Sequence, residues 1–181
     1  MWGRRRDRGV ADEVERRSRE FVHELDLPPA DSVQDLVPFV ERRLDRSIRL
    51  MPAAPDPADP DALDSSAPCG LWLATETTDY VFYDPSISRA HADAIIGHEL
   101  AHMLKRHPGG AQLPAGNLGG LITDIDPATV QLVLGRTRYS DPDELEAEML
   151  GSLLQEHVDL SGSAASRSHR GADPIARTLL R

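Results

Sequence analysis

The segment Ile95-Ile-Gly-His-Glu-Leu-Ala-His-Met-Leu-Lys-Arg-His107 restricts the fold of this chain more than any other stretch. At about 100° per residue, Ile96, Leu100, Met103 and Leu104 fall within an arc of roughly 100°, so one side of a helix is committed to a core. His98 and His102 lie about 40° apart on one face off that arc, and Glu99 falls between the two groups. A helix from about Ser88 to His107 is expected, stopped by Pro108-Gly109-Gly110. The rest of the chain must supply the surface against which its apolar side packs.

Helices and strands that can do so are legible on both sides. Val10 to Leu25 carries Val14, Phe21, Val22 and Leu25 at helical spacing and is broken by Pro28-Pro29. Asp31 or Ser32 caps a second helix bearing Val33, Leu36, Val37, Val40 and Leu44. Ser47 to Met51, Cys69 to Thr75 and Tyr80 to Tyr83 read as short strands, with Glu76 to Asp79 as the hairpin loop between the last two. Asp126-Pro127 reads as the cap of a short helix through Leu134. Asp141-Pro142-Asp143-Glu144 repeats that grammar, Glu144 closing a capping box, and opens a helix to about His157. Helices, then strands, then helices predict an α+β domain with a small, mainly antiparallel three-stranded sheet.

We expect residues 1–8 to be disordered and 9–160 to form a single domain with a mobile linker at 52–68. The tail 161–181 should be loose, with Ile175 to Leu180 a helix only if a partner orders it. With 20 Lys and Arg against 30 Asp and Glu the net charge is −10, which argues against a direct nucleic-acid role. The Arg4, Arg5, Arg6, Arg8 cluster is followed by Asp12, Glu13 and Glu15 and reads as a solvated terminus. Cys69 stands alone, which excludes an intramolecular disulfide and a cysteine-based metal site. No apolar stretch is long enough to span a membrane, and the N-terminal arginines precede no apolar region, so a cytoplasmic location is expected.

The chemistry lies in His98-Glu99-x-x-His102. Two histidines at i and i+4 can bind one zinc ion (Zn2+), and the intervening glutamate is placed to take a proton from metal-bound water. A third ligand is needed. His107 fails the extended metzincin pattern, because the required glycine and histidine positions hold Lys105 and Pro108. On the helix after Asp141, Leu145, Met149, Leu150, Leu153 and Leu154 define an apolar arc with Glu146 near its centre. A carboxylate there is costly to bury, and coordination would resolve the cost; a buried ion pair is the alternative for Glu146. Glu144 and Glu148 point to the opposite side, as a cap and a solvated residue. His91 shares the ligand face two turns before His98, Tyr139 is placed to stabilise an oxyanion, and Asp124 to orient a ligand histidine. Each of these three also has an ordinary structural role open to it.

Taken together, CGLWLATETTDYVFYD, HADAIIGHELAHMLKRH and DIDPATVQLVLGRTRYSDPDELEAEMLGSLL resemble the ImmA/IrrE family of metallo-endopeptidases in its compact actinobacterial form, from about Val14 to Leu154. HExxH alone is shared by many peptidases, and its combination with a following ExEAE helix is more specific. The resemblance implies a gluzincin-like fold, one zinc held by His98, His102 and Glu146, and Glu99 as general base. It also implies a helix-turn-helix transcriptional regulator as partner, cleaved in some members. Glu148 stands where the family often has Asn or Asp, Leu150-Gly151 replaces Phe-Ala, and the long stretch from His102 to Glu146 points to a different lid. The functions to separate are zinc-dependent cleavage of a partner, with an extended substrate segment paired to the sheet edge, and a zinc-containing module that controls a DNA-binding partner by contact alone.

Overall fold

The computed structural model describes residues 3–52, 70–86, 88–107, 130–134 and 141–170. The first helix, α1 (Gly3–Leu25), begins well before the expected start, so the disorder expected over 1–8 gives way to helix from Gly3. No proline interrupts this stretch, and extending an existing helix fixes one residue per hydrogen bond gained. Arg16 links Glu13 and Glu20 along its exposed side. The helix stops where Asp26 turns left-handed at φ 51°. Ser32 then accepts from the Asp35 amide at 3.3 Å and opens a 3-10 turn, Val33–Leu36, that runs into α2 (Val37–Leu44). The second expected helix is thus two consecutive pieces, with Pro38 at the start of the second.

Three strands match the expected sheet: β1 (Ser47–Pro52), β2 (Gly70–Thr75) and β3 (Thr78–Tyr83). The turn between β2 and β3 is shorter than expected, because Thr78 and Asp79 already pair as strand with Ser47 and Ile48. A fourth strand, β4 (Val130–Leu134), replaces the helix expected from Asp126 to Leu134; residues 126–129 lie outside the described residues. Val-Gln-Leu-Val-Leu is rich in strand formers, and an antiparallel place beside β2 satisfies its backbone, which local capping grammar could not foresee. The order is β1-β3-β2-β4, with β1 parallel to β3 and β2 antiparallel to both neighbours. The sheet is therefore mixed.

Two further helices follow among the described residues: α3 (Arg89–Lys105) and α4 (Asp141–Arg170). Ile96, Leu100 and Met103 of α3 pack with Trp72, Ala74 and Val81 of the sheet, and Val33, Leu36, Val40, Leu154 and Val158 close the same core. The α3 apolar arc is thus buried as expected. Gly70 sits where α3 crosses β2, and a Cβ there would meet Ile95 Cγ2 at 2.4 Å. On the same sheet face, Asp79 is 1% exposed and accepts from Arg46 Nε at 2.6 Å and Trp72 Nε1 at 2.9 Å. Arg46 also donates to the Thr75 carbonyl, so one guanidinium ties the β2–β3 turn to β1.

The last helix continues thirteen residues past the expected His157 end, through the first half of the expected loose tail. Val158 is buried in the core and no proline falls before Pro174, so nothing local stops it. The linker from 53 onward, Cys69 and residues 171–181 lie outside the described residues. Among the described residues, no helix is long and apolar enough to cross a membrane.

Candidate metal centre

The centre forms where α3 and α4 touch most closely. Gly97 and Gly151 face each other: a Cβ on Gly97 would meet the Gly151 carbonyl oxygen at 3.2 Å, and one on Gly151 would meet the His98 amide nitrogen at 3.0 Å. Two glycines let the backbones approach, and the residues beside them inherit the contact. His98 follows Gly97 directly, and Glu144 precedes Gly151 by seven residues, about 20° away on the helix wheel.

His98 Nε2 lies 3.0 Å from His102 Nε2, and the Glu144 carboxylate oxygens lie 3.6 Å from His98 Nε2 and 3.7 Å from His102 Nε2. Four donors about 2.0–2.1 Å from a zinc ion stand about 3.3–3.4 Å from one another at the corners of a tetrahedron. The observed separations fall around that value. Among the described residues, His98, His102 and Glu144 form one group able to hold a metal ion. His102 is fully buried, and burial first, then the neighbouring His98 and His107, push its imidazole down to about 3. The neutral ring is the form that binds metal.

Glu146, expected as the third ligand, stands on the other flank of α4. Its Oε2 lies 2.9 Å from His107 Nε2 and its Oε1 2.9 Å from Lys105 Nζ. Burial pushes its carboxyl up, but the hydrogen bonds from His107 and Lys105 and their charges outweigh that and hold it below its ordinary range. Glu146 thus makes the ion pair that was its alternative role. The reason is the burial centre of α4. The residues most deeply covered in its first turns are Ala147, Leu150, Gly151 and Leu154, whereas Leu145 and Met149 are only half-buried. Leu145 and Met149 put the apolar centre of a helical wheel near Glu146, but the deeper contact lies on the side of Ala147 and Gly151. Small residues at three and seven positions beyond Glu144 were the signal for the closer face.

His107 joins the cluster from the end of α3. Arg106 turns left-handed at φ 53°, and the His107 amide donates to the His102 carbonyl while the Arg106 amide donates to that of Met103. This Schellman closure folds the chain back and lays the His107 ring against His102, with Nδ1 to Nδ1 at 2.9 Å. Its failure to match the metzincin spacing gave no hint of this role.

Glu99 is 3% exposed, and with His98 it lines a cavity of about 300 Å³ whose walls include Gly70, His91, Ile95 and Glu148. A Cβ at Gly70 would stand 3.1 Å from Glu99 Oε1, so glycine there also makes room for this carboxylate. His91 is exposed and reaches the cavity wall rather than the ligand group. Tyr139 and Asp124 lie outside the described residues. Comparison with models of known families, with characterised proteins and with solved structures finds no match for this chain.

Proposed function

We propose that this protein is a zinc-dependent endopeptidase of the gluzincin type, similar to the ImmA/IrrE enzymes, with His98, His102 and Glu144 as metal ligands and Glu99 as general base. The observation that carries the proposal is the convergence of two imidazole nitrogens of α3 and one carboxylate of α4 at zinc-like separations, with Glu99 of α3 lining a cavity beside them. Two histidines and a glutamate are a known catalytic zinc set, which leaves the fourth position for water or substrate. A zinc ion held by His98, His102 and Glu144 would lower the pKa of a water and polarise a substrate carbonyl. Glu99 accepts the proton of the attacking water and returns it to the leaving nitrogen. The cavity beside it, walled by Ile95, His91 and Glu148, receives a substrate side chain next to the scissile bond. A protein partner such as a helix-turn-helix regulator, met in the cytoplasm, is the proposed substrate, the chain's −10 charge complementing a basic DNA-binding surface.

Elemental analysis tests the first half of this proposal. About one zinc per wild-type chain, lost in Glu144→Ala, is the expected result; wild type that takes up no zinc after reconstitution would overturn it. Glu99→Gln tests the second half. It should bind zinc like wild type and fail to cleave a partner that wild type cleaves. If Glu99→Gln still relieves the partner's repression, control by contact replaces proteolysis.

A further inference from the structure

We propose that His107 and Glu146 are positioning residues that orient the ligand imidazole of His102 through a one-way hydrogen-bond relay ending at Lys105. The inference rests on the metal-site reading above. Its observations are three consecutive contacts: His102 Nδ1 to His107 Nδ1 at 2.9 Å, His107 Nε2 to Glu146 Oε2 at 2.9 Å, and Glu146 Oε1 to Lys105 Nζ at 2.9 Å. The His102 and His107 rings are packed edge to face, 5.0 Å between centroids at 73°.

Proton bookkeeping gives the relay its direction. A neutral imidazole carries one N–H, and two ring nitrogens at hydrogen-bond distance share one proton. His102 presents Nε2 to His98 and Glu144, so metal binding through Nε2 leaves its proton on Nδ1. His107 Nδ1 must then accept, which places the His107 proton on Nε2, facing Glu146. The carboxylate accepts it and receives Lys105 on its other oxygen. Every donor meets an acceptor with both rings neutral, and no other pair of neutral tautomers serves both the metal and the His102–His107 contact. His102 is 0% and His107 7% exposed, so water is poorly placed to substitute for a missing link. Partners of this kind fix the tautomer and ring orientation of a ligand histidine.

The test uses the zinc-loaded full chain. Nitrogen-resolved NMR of the imidazoles should find His102 protonated on Nδ1 and His107 on Nε2; a His107 proton on Nδ1 overturns the proposal. In metal competition, His107→Phe keeps a buried ring but removes the acceptor, and zinc should bind about 10- to 100-fold more weakly. The cobalt-substituted variant should show a shifted visible spectrum, and the metal-free variant should keep wild-type circular dichroism. His107→Asn, which restores an acceptor near the lost Nδ1, should recover much of the affinity. Glu146→Gln, which leaves the core untouched, should give a weaker loss in the same direction. Zinc affinity within twofold of wild type in both His107→Phe and Glu146→Gln, alongside loss in His102→Ala, would sink the relay while leaving the metal site standing. A wild-type chain that binds no zinc removes both.

Discussion

Glu144 and Glu146 stand two residues apart on α4, roughly 160° apart around its axis, and flank the same buried stripe. On one flank the Glu144 carboxylate converges with the imidazoles of His98 and His102. On the other, Lys105 and His107 surround Glu146, and Lys105 lies 4.6 Å above the Phe21 ring. One carboxylate therefore faces electron-pair donors and the other faces a resident cation. Burying a carboxylate is expensive either way. The cost is met by lysine on the Glu146 side, whereas the Glu144 side offers the donor set of a metal. Similar side chains at similar depth thus serve different ends according to what the opposite helix presents.

The sharpest way to break this contrast is to neutralise each carboxylate in turn. Glu144→Gln should abolish stoichiometric zinc, whereas Glu146→Gln should keep it and lose at most about 10- to 100-fold in affinity, read by competition with a chromophoric chelator. The reverse order would put Glu146 back in the ligand set. Next in size is the helix crossing. Gly151→Ala presses a methyl against the His98 backbone and should cost about 1–3 kcal/mol, seen as a Tm lowered by several degrees. Gly162→Ala, where nothing lies within 4 Å, should instead stabilise α4 by up to about 1 kcal/mol. Equal effects at the two glycines would show that close approach at Gly151 is not what seats Glu144.

A smaller effect is expected at the far flank. Lys105→Met should lower stability by about 1 kcal/mol, since the pair is partly exposed, and denaturant titration at low and high salt should shrink the difference as screening rises. The smallest concerns Asp93. Burial pushes its carboxyl above the usual value against the opposing pull of Arg89 and the Val33 amide, with Asp35 and Asp159 adding to the rise. A raised folded-state value means that the folded chain holds the proton longer than the unfolded one, so stability falls as pH climbs from the unfolded value near 3.8 through the raised one. Asp93→Asn should flatten that segment of the stability profile, and an unchanged slope would assign it to another group.

Much of α3 was readable from residues alone. The start near Ser88, the arc of Ile96, Leu100 and Met103, and the histidines one turn apart are local facts, and the helix bears them out. Three of the four strands among the described residues were legible for the same reason, as short runs of strand formers between turn signals. Where local grammar led elsewhere, a distant partner decided. Val130 to Leu134 follows a proline-capped start but pairs with β2. Asp79 looks like a turn residue but joins β3, where Arg46 and Trp72 take up its charge. His107 carried no spacing signal because its role depends on the left-handed Arg106 that folds it back onto His102.

The sequence by itself determined the histidine pair and the intervening glutamate, because i to i+4 geometry is fixed by the helix whatever surrounds it. It also determined the order of helices and strands, apart from β4. Only the tertiary structure decided which glutamate of α4 meets the histidines. A helical wheel assigns an angle to each residue but not the angle from which the neighbouring helix arrives. Here that direction is set by the Gly97–Gly151 approach, where the absence of side chains lets two backbones touch, and a scale that weighs residues by hydrophobicity gives such a contact almost no weight.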